Sequence, residues 1–284
     1  CVQSGVAMAF YTPQGRFLCQ VGNETAGNVY LRREQYRRAD DAAQSLAIAR
    51  NFIAGKLYNA KFVLLRCARD HALQADAEKL RGAAASLHES LSACLSAQSD
   101  DQLRGVEGSA ASAYFQVFDE MVLREKQAFA FHGRSRRPPL DRTNALLSFA
   151  YSLLTSDCAA ALRGVGLDPY VGFMHVDRPG RKSLALDLVE ELRPVCADRF
   201  VLTLINNRVL SPGDFVVQES GAVLLTDEAR RTFLSEWQKR KRETLTHPYL
   251  DEKIEWGLVP HVQALLLARY VRGDLDQYPP FFWK

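Results

Sequence analysis

Residues 172–193 read GFMHVDRPGRKSLALDLVEELR and combine a turn, a helix and several side chains that could carry chemistry. His175 closes a short apolar run, and Pro179 and Gly180 then mark a turn. Ser183 is a good N-cap, so a helix is predicted to begin directly behind it. Apolar residues at helical spacing predict its buried stripe: Leu184, Ala185, Leu188, Val189 and Leu192.

The acidic residues of this helix allow two interpretations. Asp187 and Glu190 lie one turn apart, so their carboxylates are neighbours that repel unless a cation lies between them. A divalent metal would remove that repulsion, and His175 could approach the same point from the preceding loop. Alternatively, the carboxylates belong to a solvated acidic face that includes Glu191 and Arg193. On this stretch alone the solvated face is favoured, because structural ion pairs often perturb carboxylates as well.

The composition is that of a globular protein with a sizeable core. The chain has 284 residues, of which 47% are hydrophobic and 24% charged. No apolar run approaches the roughly 20 residues that a membrane span needs, so no membrane association is expected. Six scattered cysteines without a CxxC pair argue against zinc and for a reducing, cytoplasmic compartment. The net charge of +3 permits nucleic acid as a partner without requiring it.

The N-terminal part of the chain predicts a small β-structure followed by helices. Residues 6–11 and 16–21 are predicted strands around a turn at 12–15, and they would belong to a sheet whose other strands precede this chain. Residues 27–38, GNVYLRREQYRR, are interpreted as a basic linker. Asp40 or Asp41 then caps a long helix to about residue 71. The domain boundary is therefore placed near Asp40, with domains at 1–39 and 40–284.

The following region is predicted to be helical, with a second helix at 72–97 and a third behind residues 99–101. The third helix places Glu107 among small residues, including Gly105 and Gly108. Small neighbours allow a ligand or another backbone to approach the carboxylate. They also suit tight helix packing with an incidental glutamate, and the residues themselves do not decide between the two.

A basic loop at 131–142, FHGRSRRPPLDR, precedes a predicted central helix at 143–162. Its prolines stiffen it and Asp141 can cap the helix, so the arginines could contact phosphates or could belong to an ordinary solvated loop. Farther on, the sequence predicts a hairpin between 214 and 225, a helix capped by Thr226 and a last helix at 258–272. The aromatic segment 278–284 is expected to dock on the core or on a partner.

Four ordered segments resemble the CRISPR-associated adaptation integrase family: EGSAASAYF, RRPPLDRTNALLSFAYSLL, GLDPYVGFMH and SLALDLVEELRP. Members of this family are metal-dependent DNA endonucleases that insert new spacers into CRISPR arrays. The segments GNVYLRREQY and YPPFFWK are similar to the branch that accompanies type I-C systems. The resemblance covers nearly the whole chain.

This resemblance implies a mainly α fold, with a small N-terminal β-domain, apparently incomplete here, and a large all-helical catalytic domain. It places catalytic and metal-ligating roles on Glu107, His175 and Glu190, with Asp187 as an assisting acid. The family usually has asparagine where Ser109 stands. A set of two carboxylates and one imidazole without cysteine suits Mg²⁺ or Mn²⁺.

The resemblance also implies partners and a reaction. The chain is expected to act as a homodimer with a small ferredoxin-like adaptation partner on double-stranded DNA, namely the protospacer and the CRISPR repeat. The attacking group is water for nicking or a DNA 3′-hydroxyl for strand transfer. Two alternatives are a DNA-binding scaffold without catalysis and a metal-dependent phosphodiesterase acting on RNA. Six arginines are candidate DNA contacts, although a structural salt bridge is the alternative for those near the ligands: Arg134, Arg136, Arg137, Arg178, Arg181 and Arg193.

Overall fold

The computed structural model describes residues 8–12, 17–21 and 28–284, most of which are helical. At the N-terminus, β1 (Met8–Tyr11) pairs antiparallel with β2 (Phe17–Val21), which confirms the two predicted strands. Residues 6, 7 and 16 of the predicted strands and residues 13–15 of the predicted turn lie outside the described part of the chain. The predominance of helices confirms the predicted fold class.

The predicted basic linker is wrong, because most of it is helix α1 (Val29–Asp40). Asn28 caps this helix by accepting a hydrogen bond of 3.0 Å from the backbone nitrogen of Leu31. Leu31 and Gln35 are buried, and the Gln35 amide donates at 2.8 Å to the carbonyls of Asp168 and Val171. Arginines occupy the other faces of α1 and make the segment strongly basic, so its sequence did not indicate this narrow buried stripe. Helix α1 packs on the helical body, whereas the proposed domain boundary stays a prediction.

Three long helices follow and pack in succession: α2 (Ala42–Asp70), α3 (Ala77–Ser96) and α4 (Asp100–Gln116). Asp41 and Ser99 cap α2 and α4 as predicted. The predicted start of α3 was too early, because residues 71–75 form a turn and Asp76 caps the helix at the backbone nitrogen of Lys79.

The central helix is α5 (Arg142–Gly164), which Asp141 caps as predicted. It packs against α6 (Ser183–Leu192) and α7 (Arg199–Asn206). A π-helical turn that contains Pro194 connects these two helices. Within the described ranges, α5 is the one helix with the length and hydrophobicity of a membrane span. Since 56% of its most apolar window is buried inside the fold, it has the character of a core helix.

The C-terminal third adds two hairpins and two helices around this core. The predicted hairpin is β3 (Phe215–Val217) with β4 (Val223–Leu225), and Thr226 caps α8 (Asp227–Arg242). A second hairpin, β5 (Thr244–Thr246) with β6 (Lys253–Glu255), was not predicted. The last helix is α9 (Val259–Arg272).

The aromatic C-terminal segment docks on the core through Glu191 of α6. The hydroxyl of Tyr278 donates to this carboxylate at 2.5 Å, and the amide of Gln263 in α9 donates at 3.0 Å. Burial raises the pKa of Glu191 to about 7. Asn59 of α2 donates at 2.7 Å to the carbonyls of both Glu191 and Phe281. The segment therefore joins α2, α6 and α9 on one side of α6.

Candidate active site

The acidic residues of α6 are buried, which overturns the solvated-face interpretation. Asp187 and Glu191 are fully buried, and Glu190 is 6% exposed. Helix α6 packs against α2, α5 and α9, so carboxylates as well as apolar side chains point into the interior. Burying a charged group is costly unless it is paired, so each carboxylate needs a partner.

Asp187 acts on His175 and on the loop that carries it. Its carboxylate accepts hydrogen bonds from the backbone nitrogens of Phe173 at 2.7 Å, Met174 at 3.1 Å and His175 at 3.0 Å. The Nδ1 atom of His175 lies 2.6 Å from Oδ1 of Asp187. Because the carboxylate accepts, Nδ1 carries the proton and Nε2 keeps a free lone pair. Asp187 therefore positions His175.

The loop before His175 approaches α6 so closely that only glycine fits at position 172. A Cβ atom there would lie 2.8 Å from Oδ2 of Asp187 and 2.9 Å from the backbone carbonyl carbon of Ser183. Arg104 of α4 donates at 3.1 Å to the carbonyl of Met174 and ties the same loop to the helix of Glu107. The segment that leads into His175 is thus held by both α6 and α4.

Glu190 and Glu107 meet at the ammonium group of Lys56, which α2 supplies. The Nζ atom of Lys56 lies 2.6 Å from Oε2 of Glu190 and also pairs with Oε1 of Glu107. Arg193 pairs with the other oxygen of Glu190. Burial alone would raise the pKa of Glu190, but the Arg193 and Lys56 cations lower it to about 2. A protonated His175 imidazolium is close enough to lower this pKa as well.

The structure thus brings Glu107 and Glu190 together across Lys56, and it places His175 near enough to act electrostatically on Glu190. Among the described residues, no three His, Cys, Asp or Glu side chains are arranged to hold a metal directly. Yet the ammonium marks a point where one cation meets an oxygen from each carboxylate, and Oε2 of Glu190 is buried without a well-formed hydrogen bond. This donor set suits a divalent cation.

The surroundings of Glu107 are open, as a ligand site requires. The Glu107 side chain is 24% exposed. Cβ atoms added at Gly105 or Gly108 would meet no atom of the described structure within 4 Å. The tight helix packing that these glycines could have served is therefore not their role in the described part of the fold.

The six candidate DNA-binding arginines fall into two groups. Arg134 donates to Asn144 at 2.6 Å and to Ser148 at 3.1 Å, so it holds the loop against α5. Arg181 donates to the carbonyl of Val176, and Arg193 forms an ion pair with Glu190. The other three are exposed, and their side chains form no ion pair or hydrogen bond with any residue described here: Arg136, Arg137 and Arg178.

Comparison with known proteins identifies the family. Residues 1–239 match the family model described as CRISPR associated protein Cas1. The chain belongs to the Cas1 family. It is 51% identical to "CRISPR-associated endonuclease Cas1 1" of Chlorobaculum tepidum over 284 residues, which cover 100% of this chain and 83% of the relative.

Solved structures show the same architecture in proteins related to Cas1. A "Casposase bound to integration product" has a TM-score of 0.84 and 25% identity, covering 100% of this chain and 77% of the other. A "Cas6-RT-Cas1--Cas2 complex" has a TM-score of 0.79 and 25% identity, covering 100% of this chain and 30% of that one. Together with the named endonuclease, these likenesses support a nuclease or integrase role for the Cas1-family chain.

Lys56 is the residue of this site that sequence reasoning missed. It lies within an apolar stretch of α2, IAGKLYNA, where a single lysine is expected to be at the surface. It is 7% exposed, although lysines are rarely buried unless paired. The signal that could have found it is the absence of a carboxylate at helical spacing within α2.

Proposed function

We propose that the chain is a metal-dependent DNA endonuclease and integrase that inserts new spacers into a CRISPR array by phosphodiester transesterification. The observation that carries the proposal is the single cation position shared by Glu107 and Glu190, beside a histidine whose Nε2 is free. The family membership and the resemblance to a casposase bound to its integration product support the same reaction class.

The ligands of the metal would be the carboxylates of Glu107 and Glu190 and the Nε2 atom of His175, with Mg²⁺ or Mn²⁺ as the ion. When bound, the metal would polarise the phosphodiester and stabilise charge on the attacking oxygen. Asp187 holds the proton of the His175 ring on Nδ1. In this tautomer Nε2 has no proton and would be free to bind the metal.

The positive groups of the site have a separate task in this proposal. Lys56 and Arg193 bring two cations to the buried end of the site, where they can contact phosphodiester oxygens that carry developing charge. Exposed Arg136, Arg137 and Arg178 would contact phosphates at the surface, because none of them pairs with an acidic group of the described structure. Transesterification conserves the number of phosphodiester bonds, so no nucleotide fuel is needed.

Double-stranded DNA, a second copy of the chain and a small ferredoxin-like adaptation protein are the proposed partners. The Cas1–Cas2 complex among the similar structures supports a protein partner, and the casposase with its product supports DNA. Assignment to the type I-C branch and a cytoplasmic location remain predictions from the sequence.

Three substitutions test this function: Glu107→Gln, His175→Ala and Glu190→Gln. Each should abolish nicking of duplex DNA and strand transfer in Mn²⁺, while thermal melting shows a folded protein. Glu89→Gln on the exposed face of α3 is the matched control and should keep full activity. Wild-type activity in His175→Ala would disprove the site assignment.

Substrate comparison separates the alternatives. A scaffold without catalysis predicts DNA binding and no cleavage by the wild-type chain in either Mg²⁺ or Mn²⁺. An RNA phosphodiesterase predicts that RNA is cleaved at least as fast as branched or linear duplex DNA. Preferential action on branched DNA supports the integrase, whereas equal cleavage of RNA counts against it.

A further inference from the structure

A basic cleft lies outside the candidate active site, between the C-terminal half of α2, the segment around residues 121–124 and α7. Its volume is about 460 Å³, which is in the range of small-molecule and nucleotide sites. Its charged and polar walls include the following side chains: Arg66, His71, Arg124, Arg199, Thr203 and Asn207. We call it the α2–α7 cleft.

The acidic neighbours of the three arginines in the α2–α7 cleft are Asp70 near Arg66 and Glu243 near Arg199, and neither is within ion-pair distance. Arg66, Arg124 and Arg199 form no ion pair with any carboxylate in the parts of the chain that the structure describes. Asp70 also lines the cleft, but its carboxylate is bound by Arg69 at 2.7 Å. Positive charge in the cleft therefore exceeds the negative charge that the fold provides there.

Arg199 is the arginine with the strongest need for an anion. Its Nη1 atom is buried without a hydrogen-bond partner, and an unsatisfied buried donor in a native protein calls for an explanation. Burial, followed by repulsion from Arg240 and Arg66, lowers the pKa of Arg199 to about 10. A bound anion would satisfy the free donor and offset this repulsion.

Trp283 orients two of the guanidinium groups. The Arg66 guanidinium lies 4.5 Å and that of Arg199 4.3 Å from the centre of the indole ring. The backbone nitrogen of Trp283 donates at 2.9 Å to Asn59, which fixes the ring on α2. Stacking on an aromatic ring leaves the N–H groups at the guanidinium edge available, and these match phosphate oxygens well.

The position of the cleft relates it to the candidate active site. Lys56 and Arg66 are ten residues apart on α2, so the two places are separated by about 15 Å along that helix. In duplex DNA this length corresponds to about four base-pair steps. A strand with its reacting phosphodiester at Glu107 and Glu190 can therefore place a later phosphate at the cleft.

We propose that the α2–α7 cleft binds a phosphate group of the DNA strand, a few nucleotides from the reacting bond. This inference rests on the proposed DNA function. The ligand chemistry, a phosphate group held by three guanidinium groups, is shared with free phosphate and nucleotides. The cleft and the metal ligands would together fix the position of the strand along α2.

The test uses Arg124→Gln and the double variant Arg66→Gln/Arg199→Gln. Arg124 is exposed and its substitution leaves the core intact, so it keeps the test valid if the double variant unfolds. Arg231→Gln, an exposed arginine of α8 outside the cleft, is the matched control. Binding of labelled duplex DNA is measured by anisotropy in EDTA between 50 and about 200 mM salt, the range in which phosphate contacts change affinity strongly.

Each lost phosphate contact should reduce the log–log salt slope by about 0.9 and weaken all sequences alike. The control should keep the wild-type slope. Unchanged affinity and slope in folded Arg124→Gln and in the double variant would overturn the proposal. Titration with inorganic phosphate distinguishes the source of the ligand: if the variants lose phosphate binding but keep DNA binding, the DNA strand is not the occupant.

The same preparations separate this inference from the proposed function. Nicking by the wild type with unchanged DNA binding in the variants rejects the cleft and retains the nuclease. DNA binding that depends on the cleft, without nicking in any metal, rejects the nuclease and retains the cleft.

Discussion

Replacement of Lys56 by methionine tests whether its ammonium group holds the place of the metal. Methionine keeps an unbranched side chain of similar length and removes the charge. Without metal, Glu107 and Glu190 then lose the cation between them. Breaking a buried ion pair by removing one partner costs about 3–5 kcal/mol. We expect the lower end, about 3 kcal/mol, because Arg193 still pairs with Glu190 and Glu107 is partly exposed.

This loss is large enough to measure by thermal unfolding in EDTA. A change of 1 kcal/mol shifts the melting temperature of a chain of this size class by about 2–4 °C, so Lys56→Met should melt about 6–12 °C lower than the wild type. Lys61→Met is the matched control on the same helix. The Lys61 ammonium lies over the rings of Tyr58 and Phe62, away from any carboxylate of the site, and its loss should change melting little.

Mn²⁺ should reverse the effect. A metal binding to the wild type has to displace the Lys56 ammonium, whereas in Lys56→Met the carboxylates are already free of it. The variant should therefore bind Mn²⁺ about tenfold more tightly, a difference of about 1.4 kcal/mol. Stabilisation by a ligand grows to about 2.7 kcal/mol at one hundred times its Kd, so the melting shift caused by Mn²⁺ should be larger in the variant.

Calorimetric titration and melting curves over a range of Mn²⁺ concentrations measure both quantities. The reasoning is refuted if Lys56→Met melts like the wild type in EDTA, or if it binds Mn²⁺ no more tightly. Glu107→Gln in the Lys56→Met background is a further control, because it removes a proposed ligand and should abolish the gain in affinity.

Three further predictions concern pH, the histidine loop and the basic loop. Burial lowers the pKa of His247, whose Nδ1 accepts backbone hydrogen bonds of 3.3 Å from Tyr249 and Leu250. The native state thus binds this proton less readily than the unfolded state, so its contribution to stability is present above about pH 6.5 and is lost as the pH falls below that value. Urea unfolding from pH 5 to 7.5 should show this slope, His247→Gln should reduce it, and exposed His88→Gln should not. Gly172→Ala should displace the His175 loop and reduce nicking at least about tenfold, since its Cβ would lie 2.8 Å from Asp187; full activity with unchanged melting would contradict this. Arg136→Ala/Arg137→Ala should lower the salt slope of DNA binding by about 0.9 per lost contact at constant melting temperature, whereas lower stability with an unchanged slope would remove this loop from the DNA surface.

The helical framework could be predicted because its signals are local. Asp41, Ser99, Asp141 and Thr226 cap helices where the sequence indicated, each accepting a hydrogen bond from a backbone nitrogen two or three residues later. The predicted cap Ser183 is wrong, because it is the first residue of α6 and Lys182 occupies the cap position without a side-chain capping hydrogen bond. The apolar stripe of α6 is buried as its spacing predicted. Such features depend on a few neighbouring residues and therefore survive without knowledge of the tertiary structure.

The features that the sequence did not predict share one physical cause, which is contact between segments far apart in the chain. Gln35 is buried because carbonyls more than 130 residues away accept its amide, and nothing in the basic segment around it indicates this. Lys56 pairs with a carboxylate 51 residues away and with another in α6. The family resemblance brought Glu107, His175 and Glu190 into one hypothesis, but it could not indicate which group holds the two carboxylates together.

Glu190 and Glu191 show how strongly such distant partners decide the role of a side chain. They are adjacent on α6 and both buried, yet the pKa of one is lowered to about 2 and that of the other is raised to about 7. Glu190 faces two cations, whereas Glu191 meets the neutral donors of Tyr278, Gln263 and Phe281. Near neutral pH, Glu190 is therefore ionised and paired with two cations, while Glu191 is close to the midpoint of its titration and anchors the C-terminal segment. Two consecutive residues of the same type on α6 therefore differ in their partners: Glu190 pairs with cations, and Glu191 anchors the C-terminal segment.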